Sequence, residues 1–69
     1  MRETFNKVSG YRNMLGLTQR EVAAYLGITS QSYSNKERGY RGFSDDEKVK
    51  LKKLFQRIDS SLTIDSIFF

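Results

Sequence analysis

The stretch "TSQSYSNKERG", residues 29–39, decides how this chain folds. Only Tyr33 in it is strongly apolar. Ser30, Gln31, Ser32, Ser34 and Asn35 are short or uncharged polar residues, most of them mediocre helix formers, so composition alone suggests a loop. The ends say otherwise. Thr29 stands where an N-cap belongs and Gly39 where a helix stops. The segment reads as a short helix with one apolar anchor, Tyr33, and an uncharged polar outer face.

The surroundings support that reading. Upstream, Thr18-Gln19-Arg20-Glu21 is a capping-box pattern, in which the threonine accepts from the third residue's amide and the glutamate reaches back. Val22, Ala23 and Leu26 then form one face and Gly27 is the stop, which predicts a helix over about 18–26. Only Gly27 to Thr29 separate it from the next helix. A connection that short, with a glycine in it, makes two short helices cross steeply, as in a helix-turn-helix at about 18–38. Further upstream, Phe5, Val8, Tyr11 or Arg12, and Leu15 recur at helical spacing, which predicts a first helix over Glu3–Leu15 ended by Gly16.

Downstream, Ser44-Asp45-Asp46-Glu47 is a second capping box, with Phe43 before it as an expected hydrophobic staple. Val49, Leu51, Leu54, Phe55 and Ile58 give the face of a helix over about 44–57. The tail, residues 60–69, ends in "IDSIFF" and stays open between a helical turn capped by Thr63 and a strand. Its apolar residues suit one of two uses, completing the core or meeting a second copy. Ile64 and Ile67 are expected inward, with Phe68 and Phe69 at or near a dimer contact. The predicted fold class is all-α: a compact bundle of four to five short helices around a central helix-turn-helix.

Composition narrows the function. The 69 residues are expected to form one domain with a small core, with no room for a separate sensing or protease domain. There is no cysteine and no histidine, which removes disulfides, thiolate metal sites and the commonest general base. No catalytic residue, metal or cofactor is expected. Asp45, Asp46 and Glu47 lie side by side at a helix start and are not a paired acid and base. No apolar run is long enough for a membrane span or signal peptide, and a cytoplasmic protein is expected. Twelve Lys and Arg against eight Asp and Glu give +4, which favours a polyanionic partner. Lys48, Lys50, Lys52, Lys53 and Arg57 follow the acidic start of the fourth helix and read mainly as a solvated face complementing its dipole.

The outer face of residues 29–39 gives the positive signal. A helix lying in the major groove needs short polar side chains outward. Gln and Asn can bond bidentately to the edge of adenine, and serines allow close approach. Cations just beyond the helix, here Arg38 and Arg41, suit the phosphate backbone.

On these residues the chain resembles a known family. "LTQREVAAYLGITSQSYSNKERG", Leu17 to Gly39, is similar to the helix-turn-helix of the phage repressor and Cro proteins, the lambda repressor-like or XRE family. Gln19, Ala23, Gly27, Thr29, Ser34, Glu37 and Gly39 match its pattern. Lys36 departs from it, since Trp, Ile or Leu usually stands there.

The resemblance implies five short helices around one core, binding double-stranded DNA as a homodimer on operator half-sites. It implies base contacts from Ser30, Gln31 and Asn35. Backbone contacts are implied for Thr18, Gln19, Ser32, Ser34, Arg38, Tyr40 and Arg41, with Gln19 also bracing the next helix. Arg12 and Glu37 match a structural ion pair between the first and third helices. The function so implied is a sequence-specific transcription regulator, a Cro-like or minimal phage or plasmid repressor associated with a bacterial nucleoid. No small-molecule ligand is implied. A second reading is an antitoxin-like or other protein-interaction module on the same fold.

Overall fold

A computed structural model of the chain describes residues 7–68. Five helices follow in order: α1 (Lys7–Met14), α2 (Gln19–Leu26), α3 (Ser30–Glu37), α4 (Asp45–Phe55) and α5 (Ile64–Phe68). Among the described residues there is no strand, and the fold is all-α. Phe5 and the expected start of the first helix lie outside the described residues.

Local chemistry places the helix ends. At α2 the Thr18 hydroxyl accepts from the Glu21 amide at 3.1 Å while the Glu21 carboxylate accepts from the Thr18 amide at 2.8 Å. The same reciprocal pair joins Ser44 and Glu47 at α4. Thr29 caps α3 by accepting from the Ser32 amide at 3.1 Å.

The α2 stop shows how the chain turns so tightly. Gly27 sits at φ 79°, a left-handed conformation that strains any residue carrying a Cβ even though the space above it is open. From there its amide donates to Ala24 O and the next amide, Ile28, donates to Ala23 O, the paired bonds of a Schellman motif. The same pairs close α1 at Gly16 and α3 at Gly39. The residue after each glycine is apolar: Leu17, Ile28 and Tyr40. Leu17 and Ile28 pack onto the core. Tyr40 is left 74% exposed.

The core joins all five helices. Val8, Val22, Ala23, Leu26, Tyr33, Leu51, Leu54, Phe55, Leu62 and Ile67 are buried together. Tyr11 tilts against Phe55 with ring centroids 5.3 Å apart.

Helix α4 is shorter than its apolar pattern predicts. It ends at Phe55, and i→i−3 bonds from Arg57 to Leu54 and from Ile58 to Phe55 tighten the next turn. Ile58 is consequently turned outward, and Val49, two residues from Leu51 and so on another side of the helix, is also exposed. Phe43 is not a local staple either. The position four residues into α4 is Lys48, which offers no apolar partner. The Phe43 ring instead meets Tyr33 at 6.0 Å and Phe68 at 5.7 Å, pinning the start of α4 to α3 and α5.

The tail is a helical turn. Thr63 Oγ1 accepts from the Ser66 amide at 3.1 Å and the Thr63 amide donates to Ser66 Oγ at 2.9 Å, a capping box with serine in place of glutamate. Gln56 Nε2 donates to Leu62 O at 2.9 Å and Lys7 Nζ to Ser66 O at 3.1 Å, which ties the turn to α4 and α1. Ile67 is buried, whereas Ile64 is half-buried.

Candidate nucleic-acid interface

Helix α3 has two unlike faces, and the buried one fixes the direction of the other. Tyr33 and Glu37, four residues apart, point into the protein. The Tyr33 hydroxyl donates to Glu37 Oε2 at 2.7 Å, within one helix. Arg12 on α1 donates to the same carboxylate through Nε at 2.8 Å and through Nη2 at 3.3 Å. Gln19 at the start of α2 adds a bond from Nε2 to Glu37 Oε1 at 2.8 Å, and Arg12 Nη1 caps Leu17 O at 2.9 Å. One carboxylate thus gathers three of the five helices.

The electrostatics follow from that geometry. Burial alone would raise the Glu37 pKa, but the bonds from Arg12, Tyr33 and Gln19 outweigh it and hold the group below the usual carboxylate range. Burial and donation to Glu37 push the Tyr33 phenol well above its ordinary range. The bond to Glu37 raises Arg12 in turn.

A second pair secures the far end of α3. Lys36 Nζ lies 2.7 and 2.8 Å from the two oxygens of Glu47. Burial would raise the Glu47 pKa, but the Lys36 bond and the capping bond from Ser44 lower it. Sequence reasoning missed this pair and also the particular acceptor, Glu37, through which Gln19 braces α3 as expected. A signal for the first was present: a lysine at a position where the resembled pattern is apolar, eleven residues before a capping-box glutamate.

The outer face holds the uncharged polar side chains. Ser30 and Gln31 are exposed, while Ser32, Ser34 and Asn35 are half-buried. Gln31 Nε2 and Asn35 Oδ1 stand 3.4 Å apart, at the outer limit of a hydrogen bond, so the two amides sit side by side one turn apart. That arrangement leaves the Gln31 carbonyl and the Asn35 amino group outward-capable. Thr18 is exposed at the head of α2 and Gln19 is half-buried beside it. Arg38, Tyr40 and Arg41 are exposed in the segment after α3. An eight-residue helix is about 12 Å long, comparable to the width of the major groove.

Phe68 is half-buried, its ring against Phe43 and the Lys48 ammonium 5.6 Å above it. Phe69 lies outside the described residues.

No helix among the described residues is long and apolar enough to cross a membrane. A protein-family model described as helix-turn-helix matches residues 10–62, which takes in α2, α3 and α4 entire. No curated protein and no solved structure matches the chain.

Proposed function

Because the chain belongs to the helix-turn-helix family, whose domains bind DNA and regulate transcription, we propose that it is a sequence-specific regulator reading operator half-sites in the major groove, of the Cro-like or minimal phage or plasmid repressor type. The observation that carries this reading is the division of α3. Its inner face is held by the Tyr33–Glu37–Arg12–Gln19 network, and its outer face presents Ser30, Gln31 and Asn35. Neutral amides and hydroxyls on a rigidly held helix suit base edges, because a bidentate amide contact depends on angle as well as distance. In this reading Gln31 and Asn35 discriminate bases and Ser30 permits close approach.

Thr18, Gln19, Ser32, Ser34, Arg38, Tyr40 and Arg41 set the register on the phosphates. Gln19 can serve both ends of its amino group, one hydrogen on Glu37 and the other on a phosphate. Tyr40 supports the reading because it occupies the one post-glycine position that is not drawn into the core. The protein acts as a homodimer on DNA, since two recognition helices must enter successive major grooves about 34 Å apart. The remaining exposed edge of Phe68, with Phe69, makes the twofold contact, and the site of action is the nucleoid in the cytoplasm.

Selection of bound sequences from a random duplex pool at two salt concentrations tests this directly. A palindromic motif with half-sites one helical turn apart is expected, enriched more strongly at the higher salt. A pool that shows no enrichment at either concentration overturns the proposal.

A further inference from the structure

We propose that Glu47 is a counter-charge that withholds Lys36 from DNA, so that the recognition helix meets the groove with no active cation of its own. The inference rests on the DNA-binding reading above. Within α3, SQSYSNKE, Lys36 is the only basic residue. It follows Ser32 by four residues and Tyr33 by three, which puts it on the border between the buried stripe of Tyr33 and Glu37 and the outer face. A lysine at such a border, with its four-carbon stem, can swing either way.

Here it is drawn inward. Its ammonium engages both oxygens of Glu47, and the two side chains are only 16% and 12% exposed. Glu47 cannot follow the lysine outward, because the same carboxylate accepts the Ser44 amide at 2.8 Å and is fixed as the capping residue of α4. The partner is therefore built into the start of a helix, where a free surface carboxylate would wander.

The consequence for recognition is chemical. An ammonium on a phosphate strengthens binding to every sequence alike, through counterion release. Amides on base edges separate right sequences from wrong ones. Holding Lys36 on Glu47 removes the first contribution from the helix that makes the second. Among the proposed phosphate contacts, the counterion-releasing share is left to Arg38 and Arg41, beyond the helix end.

The experiment measures the slope of log affinity against log salt on operator and random duplexes for the whole chain and three variants. Glu47→Gln keeps an acceptor for the Ser44 amide but releases Lys36. It should steepen the slope by about 0.9, the effect of one added phosphate contact, and narrow the ratio of operator to random binding. Lys36→Met should leave the slope as it is, although it removes a lysine from the recognition helix. The double variant should also return the original slope. If Lys36→Met alone makes the slope shallower by about 0.9, Lys36 already holds a phosphate and the inference is overturned. An unchanged slope in a folded Glu47→Gln overturns it too, and should that variant fail to fold, Lys36→Met still decides. An unsubstituted chain with no salt-dependent duplex binding overturns the DNA reading itself, and this inference with it.

Discussion

Removing Arg12 should damage the fold far more than a surface arginine would. The two side chains of the pair are 13% and 7% exposed, so Arg12→Ala strands the Glu37 carboxylate in a nearly closed site. Breaking a fully buried pair from one side costs about 3–5 kcal/mol. Two donors stay on Glu37, from Tyr33 and Gln19, and they soften the loss. About 3 kcal/mol at neutral pH is the expected result, and a domain of this size then melts roughly 12–24 °C lower.

The pH dependence adds a sign to the magnitude. In the intact chain Glu37 has a lowered pKa in the fold. It therefore contributes stability above the unfolded glutamate value, about 4.3, that is lost as pH falls through the lower folded value. Without Arg12 the effect of burial is no longer outweighed, and the folded pKa is expected to rise above the unfolded one. Acidification then relieves the variant by protonating the stranded group. The gap between the two proteins should narrow between pH 7 and pH 4. Urea unfolding followed by circular dichroism at both pH values measures it. A melting point within about 3 °C of the parent at pH 7, or a gap that widens in acid, would show that Glu37 does not depend on Arg12. Arg12→Met with Glu37→Leu should recover only part of the loss, because Tyr33 and Gln19 then lack their acceptor.

Other perturbations separate reading from holding. Gln31→Ala and Asn35→Ala should each remove about 1–3 kcal/mol of operator binding, leave the melting point and random-duplex affinity in place, and relax the preference at one base position; an unchanged preference in a selection experiment counts against both. Arg38→Ala or Arg41→Ala should weaken binding to all sequences and make the salt slope shallower by about 0.9 each, as read by fluorescence anisotropy at several salt concentrations. Phe68→Ala should destabilise the monomer by about 1–2 kcal/mol, less than a fully buried phenylalanine because the ring is half-exposed against Phe43. If its melting point is unmoved while cooperativity on a palindromic site falls, the ring serves the dimer contact alone.

The starts of α2, α3 and α4 and the glycine stops could be read in the sequence because near neighbours make them, whereas the end of α4 and the form of the tail could not. The capping boxes at Thr18 and Ser44 need only a residue three places on, and the stops at Gly16, Gly27 and Gly39 need only a glycine that accepts positive φ. The outer amides of α3 were legible for the same reason, once Tyr33 was identified as the anchor. The less legible parts involve distant partners. Phe43 reads as a local staple until the fold brings Tyr33 and Phe68 to it. Ile58 reads as a core residue until the turn after Phe55 rotates it out.

The caps of α2, α3 and α4 and the glycine stops depend on interactions spanning one turn, so the chain carries them locally. The Lys36–Glu47 pair and the choice of side chains left for a partner follow only from how the helices pack, whereas the Arg12–Glu37 pair was expected from the resemblance and not from local spacing. Glu37 collects Arg12 and Gln19 from 25 and 18 residues away, and Lys36 is captured by Glu47 eleven residues on. Such pairs form because helices packed on a shared core bring charges together in a site where burial penalises any carboxylate left without donors. No local spacing rule encodes that distance, so Lys36 reads in the sequence only as a departure from the resembled pattern and is an internal tie in the fold.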